Sequence, residues 1–351
     1  MDTNSAVSYA CPNCGAGLTF DPEKQKFTCE FCLSEFDEEE LISSGSAEQA
    51  KSREESNREY CDSMNEYYCP NCGAEIAADS NTAADFCYFC HSPVVLKGKL
   101  EGQLKPDKII PFKFDKEQAE SQFLKFARKK LFVPKDFSSQ EHAHKISGVY
   151  YPFWVTDADT SCTLDGKAKR IRVHRQGQYE VTETSSYNIV RAGDIHFEDI
   201  TSSAFSESDK NMLEGILPFP PDSHIDFSMP YLLGFCAKKR DIERSQLSEE
   251  VKQRMNRYAS TLLSNTVEGY SSFAPDNCNV NIKLSHWEYT LMPVWVLTYK
   301  NRKGKIYTYA MNGYTGKIYG ELPLSFAKLS VFGGIVLGVC TALFSLIGGL
   351  L

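Results

Sequence analysis

The sequence predicts an α+β protein in which two small cysteine-rich modules precede a mixed α/β domain with antiparallel strands and one C-terminal transmembrane helix. Three features of the 351-residue chain predict it: duplicated Cys-x-x-Cys pairs, alternating helix-like and strand-like apolar patterns, and an uncharged final segment. A composition with 42% hydrophobic and 24% charged residues is ordinary for a globular protein. The predicted domains are a first cysteine module (1–40), a polar linker (41–63), a second cysteine module (64–98), an α+β domain (99–325) and the transmembrane helix (329–351).

The two cysteine modules repeat one pattern. The sequence Cys-Pro-Asn-Cys-Gly occurs at 11–15 and again at 69–73, and a second Cys-x-x-Cys pair follows at 29–32 and at 87–90. In both modules 14 residues separate the two pairs. Such a repeat indicates two copies of one structural unit.

Four thiolates from two Cys-x-x-Cys turns complete the tetrahedral shell of Zn²⁺ and leave no open coordination position, which is typical of a structural zinc ribbon. The sequence therefore predicts two structural Zn²⁺ ions and no catalysis at the metal. A redox dithiol or an iron centre also uses Cys-x-x-Cys, but the duplicated pairs without a βαβ pattern favour zinc. His91, next to Cys90, is an alternative ligand, although a solvent-facing histidine is the preferred interpretation. The predicted metal ligands are Cys11, Cys14, Cys29, Cys32, Cys69, Cys72, Cys87 and Cys90.

Charge argues against nucleic-acid binding by these ribbons. The only basic residues between positions 8 and 40 are Lys24 and Lys26, against an excess of Asp and Glu, and residues 63–93 contain no Lys or Arg. Contacts to phosphates need Lys or Arg in number. Phe31, Tyr88 and Phe89, inside the second pair of each module, are interpreted as packing the ribbon core rather than stacking on bases.

The middle of the chain predicts both helices and strands. Ile109 to Phe114 is strand-like, and Asp115 with Gln118 forms the capping-box pattern that begins a helix. Helical spacing predicts buried faces on two helices, and Gly-containing turn signals at 165–166 and 192–194 predict short antiparallel strands. A hairpin is predicted from strands at 293–299 and 305–311. The apolar positions of the two predicted helix faces are Ala119, Phe123, Phe126, Ala127 and Leu131 in the first, and Leu247, Val251, Met255, Tyr258, Ala259 and Leu262 in the second, which spans 246–267.

No catalytic motif is present in the sequence. A phosphate-binding loop, a metalloprotease helix and a nucleophile elbow are all missing, and the segment 313–317 is interpreted as a turn between strands. Glu141, His142 and His144 would need a further ligand to hold a metal, and an exposed polar loop is the preferred interpretation. The sequence therefore predicts no catalytic residue and no cofactor besides zinc.

The uncharged segment 329–351 has the length and composition of a membrane span. Basic residues before it place the folded part in the cytosol by the positive-inside rule, so the predicted localisation is single-pass at the cytoplasmic membrane. Gly334, Gly338 and Ala342 recur every four residues, a spacing that permits helix–helix association. The basic residues are Lys300, Arg302, Lys303, Lys305, Lys317 and Lys328.

Four motifs stand out along the chain: the doubled Cys-Pro-Asn-Cys-Gly module, Ile-Pro-Phe-Lys at 110–113, Tyr-Pro-Phe-Trp at 151–154, and Leu-Met-Pro-Val-Trp at 291–295, which leads into Ala-Met-Asn-Gly-Tyr-Thr-Gly-Lys at 310–317. Together they resemble the TFIIB-type zinc-ribbon-containing membrane proteins of Gram-positive bacteria. Members are often labelled as relatives of the primosomal helicase or as phage replisome organisers. The resemblance also implies protein partners such as a phage-shock-protein-A-like scaffold in a membrane stress system. Because this chain lacks a nucleotide-binding loop, ATPase activity is not implied for it.

The expected function is that of a tail-anchored, non-enzymatic zinc-ribbon adaptor that binds proteins at the cytosolic membrane face. The alternative is a nucleic-acid-binding replication accessory protein similar to a replisome organiser. Nucleic-acid binding is the less favoured of the two because the ribbons are acidic.

Overall fold

The structure is a computed structural model, and its chain forms two compact units. The first unit comprises residues 1–152, 207–240 and 291–351, and the second comprises 153–206 and 241–290. Both cysteine modules belong to the first unit, and the segment 99–325 contributes to both units. The structure describes residues 11–14, 16–44, 53–79, 87, 89, 92–100, 105–206, 210–301 and 303–348.

Groups of strands are separated by helices along the described chain. The helices are α1 (Glu38–Ser44), α2 (Arg53–Ser63), α3 (Lys116–Arg128), α4 (Gln140–Ala143), α5 (Lys210–Ile216), α6 (Arg244–Asn265) and α7 (Phe326–Gly348). The strands are β1 (Leu18–Asp21), β2 (Lys26–Cys29), β3 (Glu35–Phe36), β4 (Met64–Tyr68), β5 (Glu75–Asp79), β6 (Val95–Lys99), β7 (Lys108–Ile109), β8 (Ser147–Gln176), β9 (Tyr179–Ser203), β10 (Ile225–Asp226), β11 (Cys236–Lys238), β12 (Ser272–Lys300), β13 (Ile306–Asn312) and β14 (Ile318–Gly320).

The first cysteine module has a small antiparallel sheet of its own, in the order β1-β2-β3. Its core is short of apolar side chains, as expected for a module of this size. Phe20 and Phe27 are buried in it, and the Tyr231 ring lies 5.1 Å and 5.4 Å from their centroids. The Tyr231 hydroxyl donates a hydrogen bond to Glu38 Oε2 at 2.9 Å. One tyrosine from the rest of the unit therefore completes the core of the module.

The second cysteine module is built into a larger sheet. Strand β4 pairs antiparallel with both β5 and β6, and β5 pairs antiparallel with β11. Strand β11 in turn pairs parallel with β8, whereas the strands of this domain were predicted to be antiparallel. The second module is thus tied into the unit by backbone hydrogen bonds, whereas the first is held by side chains.

The second unit consists of a long antiparallel hairpin with a helix packed against it. Strands β8 and β9 pair from Phe153↔Ser203 to Gln176↔Tyr179, and β12 is the neighbour of β8 on its other side. Between residues 158 and 168 the even positions of β8 are buried and most odd positions are exposed, the alternation of a sheet covered on one face. Helix α6 covers the buried face, where Val251 and Met255 pack against Ala158 and Ile200.

Both predicted helices exist, and their first turns follow the sequence signals. Asp115 is the N-cap of α3, its carboxylate accepts a hydrogen bond from Gln118 N at 2.6 Å, and the predicted capping box is confirmed. The predicted core positions are wrong for Leu131, which is 74% exposed beyond the end of α3. They are also wrong for Tyr258 and Leu262 on α6, because the buried stripe continues through Leu263 instead.

The strand predictions fail where glycine was interpreted as a turn. Strand β8 runs straight through Asp165 and Gly166, and β9 runs through 192–194. A Cβ on Gly166 would lie 2.5 Å from Ala274 O, so this glycine permits the close approach of β12 rather than a reversal of the chain. The predicted strand at 109–114 is shortened to β7 (Lys108–Ile109). The predicted hairpin of 293–299 with 305–311 is confirmed, because Lys300 pairs with Ile306. The turn at 313–317 is confirmed as well, because it joins the paired strands β13 and β14.

The predicted transmembrane helix at 329–351 is wrong, and with it the predicted localisation at the cytoplasmic membrane. Within the residues that the structure describes, no helix is long and apolar enough to cross a membrane. Helix α7 (Phe326–Gly348) contains most of the predicted segment. Its start is also fixed to the first unit, because Lys328 Nζ donates to Val133 O at 2.7 Å and the rings of Phe132 and Phe332 lie 5.3 Å apart.

Candidate metal centres

The four cysteines of the first module converge on one point. Their Sγ atoms all lie within 4.8 Å of one another, with Cys11 and Cys32 separated by 3.4 Å and Cys14 and Cys29 by 3.5 Å. Four thiolates about 2.3 Å from a tetrahedral ion would be about 3.8 Å apart. The cluster therefore has the dimensions of a metal site that needs only a small expansion.

Backbone hydrogen bonds shape each Cys-x-x-Cys turn in the same way. The amide of the first cysteine donates to the carbonyl five residues later in all four turns: Cys11 to Ala16, Cys29 to Ser34, Cys69 to Ala74 and Cys87 to Ser92. The residue after the second cysteine has a positive φ at Leu33 (58°) and at Gly73 (77°). Glycine adopts this conformation at no steric cost, whereas leucine rarely does.

The thiols of the first cluster affect one another's ionisation. Hydrogen bonds from the side chain and backbone of Ser34 lower the pKa of Cys32 to about 6. A backbone hydrogen bond from Ala16 acts to lower the pKa of Cys14, yet the neighbouring Cys29 thiol and burial raise it to about 12. Because thiolates packed this closely repel, full ionisation of the set requires a bound cation.

The second cluster contains Cys69, Cys72 and Cys87, whose Sγ atoms also lie within 4.8 Å of one another. The distance between the Sγ atoms of Cys72 and Cys87 is 3.5 Å, the same as that of the corresponding pair in the first module. The predicted fourth ligand, Cys90, lies outside the described residues, as do the alternative ligand His91 and the predicted aromatic Tyr88. Both clusters can hold a metal ion.

The two modules differ at the tip of the second Cys-x-x-Cys turn. Phe31 is 86% exposed and Leu33 is 81% exposed, so the prediction that Phe31 packs the ribbon core is wrong. In the second module, the Lys238 ammonium lies 4.0 Å from the ring centroid of Phe89, and the Phe89 carbonyl accepts a hydrogen bond from Thr298 Oγ1 at 2.5 Å. The tip of the second module is therefore engaged by its own unit, whereas the tip of the first projects apolar side chains.

The surface around the first tip is acidic. The two lysines of the module are both paired, Lys24 with Glu35 at 2.5 Å and Lys26 with Asp37 at 3.2 Å. Glu23, Glu30, Glu39 and Glu40 are exposed as well. The argument from charge against phosphate binding by the first module thus applies to its folded form as well, because both of its lysines are paired with carboxylates.

The histidines that were considered as metal ligands have other neighbours. His142 packs against the rings of Phe123, Phe137 and Tyr299, and His144 Nδ1 lies 2.8 Å from a carboxylate oxygen of Glu120. In the described part of the chain, the cysteine clusters are the groups of His, Cys, Asp and Glu side chains placed closely enough to hold a metal. On α7, a Cβ at Gly334 or Gly338 would meet nothing within 4 Å, while the Ala342 side chain lies outside the description, so helix–helix association stays a prediction.

The second unit has a depression of about 490 Å³ lined by polar side chains, and no motif in the sequence indicated it. Asp159, His196 and Lys283 are among the side chains that line it. His196 Nδ1 lies 2.7 Å from Asp159 Oδ1, and its Nε2 lies 3.6 Å from Glu198 Oε1. The hydrogen bond to Asp159 raises the pKa of His196 above its ordinary value. The strand register brings these residues together, and they could not have been paired from the sequence.

The fold and the clusters define a class of α+β protein with two cysteine modules that can hold a metal, one exposed at its tip and one built into a sheet. Over 338 residues the chain is 30% identical to "Uncharacterized protein YdjG" of Bacillus subtilis (strain 168), with 96% of each chain covered. The chain therefore belongs to the family of that protein. No family model matches the chain, so the resemblance to the TFIIB-type zinc-ribbon proteins stays a prediction, and no solved structure matches it.

Proposed function

We propose that this protein is a non-enzymatic adaptor whose first cysteine module, folded around a structural Zn²⁺, binds other proteins through the exposed pair Phe31 and Leu33. The single observation that carries the proposal is the exposure of these two large apolar side chains, 86% and 81%, at the tip of a rigid cluster. Exposed aromatic and aliphatic side chains on a rigid support are the usual anchors of protein interfaces.

Zinc is the proposed metal because all donors are thiolates. Cysteine sulfur favours soft or borderline ions, and four such donors in a tetrahedral arrangement suit Zn²⁺. Four protein ligands leave no position for an activated water, which supports a structural role and a protein that is not an enzyme. Because a small module cannot build a large core, the free energy of metal binding, about 10 kcal/mol in peptides, would stabilise its fold.

The backbone at Leu33 gives a second reason to regard the tip as a binding element. Leu33 has a φ of 58°, close to the 77° that Gly73 adopts after the first cysteine pair of the second module. A bulky side chain in this conformation costs about 1–2 kcal/mol. An exposed leucine gains little folding energy there, so its side chain is better explained by a role in binding.

The chemistry of the tip indicates the partner surface. Phe31 and Leu33 would enter an apolar pocket, and the acidic residues around them, such as Glu30, would face Lys or Arg at the rim of that pocket. Such charge complementarity mainly raises the association rate and the specificity. A phage-shock-protein-A-like scaffold, the partner implied by the family resemblance, is the first protein to seek among captured partners.

The test is affinity capture with the full-length chain as bait, purified with zinc, from an extract of its own organism. Proteins recovered by the wild type are quantified against the double variant Phe31→Ser, Leu33→Ser. Loss of two anchor side chains typically costs about 2–4 kcal/mol, so recovery of true partners should fall by about 30-fold or more. Captured proteins are then tested for direct binding as purified components.

The matched control is Tyr258→Ser, Leu262→Ser, which removes two half-exposed apolar side chains from α6 (52% and 47% exposed). This variant should recover the same proteins as the wild type. The proposal is overturned when the tip variant keeps its metal and captures the same proteins in the same amounts as the wild type.

A further inference from the structure

We propose that the distal half of the β8–β9 hairpin, residues 167–188, binds nucleic acid through the phosphate backbone. This segment is named the basic arm. It lies in the second unit, away in sequence from the two cysteine modules, and the proposal does not depend on the function assigned to the first module.

The basic arm reverses the charge of the chain. It contains five Lys or Arg residues and two acidic residues, Glu180 and Glu183, in a protein whose formal net charge is −8. The basic residues are Lys167, Lys169, Arg170, Arg172 and Arg175, and His174 lies among them. Such a local excess on an acidic chain is the electrostatic signature of a site for a polyanion.

The basic side chains are accessible. Every residue of β8 from Ile171 to Gln176 is exposed, as are Lys167 and Lys169. Arg170 is the exception, because its guanidinium lies over the rings of Tyr187 and Tyr270 and its Nε donates to Gly269 O at 3.1 Å. Arg170 thus fixes the base of the arm, and the other four basic side chains project from it.

Strand register places the charges on the arm. Lys167 and Lys169 lie opposite Asn188 and Ser186, so no carboxylate faces them across the strands. Arg172 and Arg175 lie opposite Glu183 and Glu180, yet within the described residues neither arginine forms an ion pair with these or other carboxylates. The excess of positive charge on the arm therefore comes from Lys167, Lys169 and Arg170.

The shape and the remaining side chains favour nucleic acid over an acidic peptide. Beyond Lys169, whose carbonyl accepts a hydrogen bond from Ser271 N at 2.7 Å, the arm consists of β8 and β9 alone. A two-stranded β-ribbon of this kind fits the major groove of a duplex. Lys167 and Lys169 project from one face about 6.6–6.8 Å apart, close to the separation of successive phosphates along a strand. Their neighbours on β9, which include Thr184, Ser185 and Ser186, supply hydroxyl donors of the kind that bind phosphate oxygens. Tyr179, 78% exposed at the end of the hairpin, offers a ring for stacking.

The experiment measures binding of the full-length, zinc-containing protein to fluorescent oligonucleotides by anisotropy. The salt concentration is varied from about 50 to about 200 mM, a range over which counterion release changes the affinity measurably. Duplex DNA, duplex RNA and single strands are compared to identify the form that is bound. In the triple variant Lys169→Ala, Arg172→Ala, Arg175→Ala, the affinity for the oligonucleotide at low salt should fall at least about tenfold. The slope of log K against log salt concentration should decrease in magnitude by about 2–3.

The matched control is Arg244→Ala, Lys252→Ala, Arg257→Ala, which removes the same charge from exposed positions on α6 and should bind as the wild type does. The assignment is overturned by wild-type protein that binds no oligonucleotide at low salt. Equal binding and an equal salt slope in the arm variant overturn it as well. So does a poly-glutamate of matched charge that binds as tightly as the duplex, since the arm would then be a site for acidic proteins.

Discussion

Leu33 combines an unfavourable backbone conformation with an exposed side chain. It occupies a left-handed backbone conformation (φ 58°) and exposes 81% of its surface. Its amide donates to Cys29 O at 2.9 Å, which fixes the turn that holds two metal ligands. The turn therefore requires this conformation, and leucine is a poor residue for it.

Replacing Leu33 with glycine should stabilise the first module and weaken partner binding. Glycine removes the steric cost at this φ, so the midpoint of thermal unfolding of the module should rise, by an amount that corresponds to about 1 kcal/mol. Loss of the side chain should lower affinity for the partner about tenfold or more. Calorimetry and a direct binding assay measure the two effects.

The control is Leu33→Ala, which removes the side chain but keeps a Cβ in the strained conformation. It should bind weakly without the gain in stability. A Leu33→Gly protein that is less stable than the wild type would show that the leucine side chain contributes to the fold of the module.

The convergence of the described cysteines was predictable, because a Cys-x-x-Cys turn places two thiols side by side. The sequence did not predict the exposure of Phe31. An aromatic residue in a Cys-x-x-Cys turn can point inward or outward, and the direction depends on what else fills the core. Here Tyr231, 200 positions further along the chain, occupies that place beside Phe20 and Phe27.

Helix α3 depends on a capping box that is readable in the sequence. The Asp115 carboxylate accepts from Gln118 N at 2.6 Å, and Gln118 Oε1 accepts from Asp115 N at 3.3 Å. These bonds satisfy two of the amides that the first turn leaves without helical partners. The helix positions Phe123, whose ring packs 5.0 Å from that of Tyr309.

Asp115→Ala should destabilise the first unit by about 1 kcal/mol, since a side-chain cap is lost while the packed face of α3 is unchanged. Urea unfolding monitored by circular dichroism measures the change, with an unaltered m-value expected. Asp115→Ser keeps a capping oxygen and should recover most of the loss. Equal destabilisation by both substitutions would assign the effect to something other than the cap.

Helices were more predictable than strands for a physical reason. Capping signals and helical spacing are local, so α3 and α6 begin close to where the sequence places them. The long strands β8 and β12 depend on partners that are far away in sequence. Gly166 accordingly indicated a turn, although the backbone of Ala274 passes close beside it.

The discontinuous units of the whole molecule could not be predicted from sequence. Each unit is assembled from separate segments, and composition does not change at 153, 207, 241 or 291. The hydropathy of the uncharged segment 329–351 likewise led to the wrong prediction of a transmembrane helix. Hydropathy reports what a segment is made of, whereas the contact of Lys328 with Val133 O depends on the folded chain.

The two metal sites should be separable in the whole protein. Protein purified in zinc-containing medium should hold about two Zn²⁺, and Cys14→Ser, Cys32→Ser should hold about one, because a site with two thiolates left binds weakly. Native mass spectrometry with elemental analysis measures the content. The second unit should keep its unfolding midpoint, since its core of Val251, Met255 and neighbouring side chains includes none of these ligands.

Cys340→Ser is the matched control, because Cys340 lies on α7 outside both clusters and its loss should leave two ions bound. Iron in place of zinc, or reversible disulfide formation within a cluster, would contradict the structural-zinc assignment. Unchanged metal content in Cys14→Ser, Cys32→Ser would contradict the predicted ligand set.

The anchoring of Phe89 by Lys238 and Thr298 has an evolutionary consequence. Substitutions at the tip of the second module would disturb the sheet that carries it. Substitutions at the exposed tip of the first module would not. Relatives of this protein should therefore diverge fastest around position 31 and retain the neighbourhood of position 89, so that new associates are acquired without remaking the architecture.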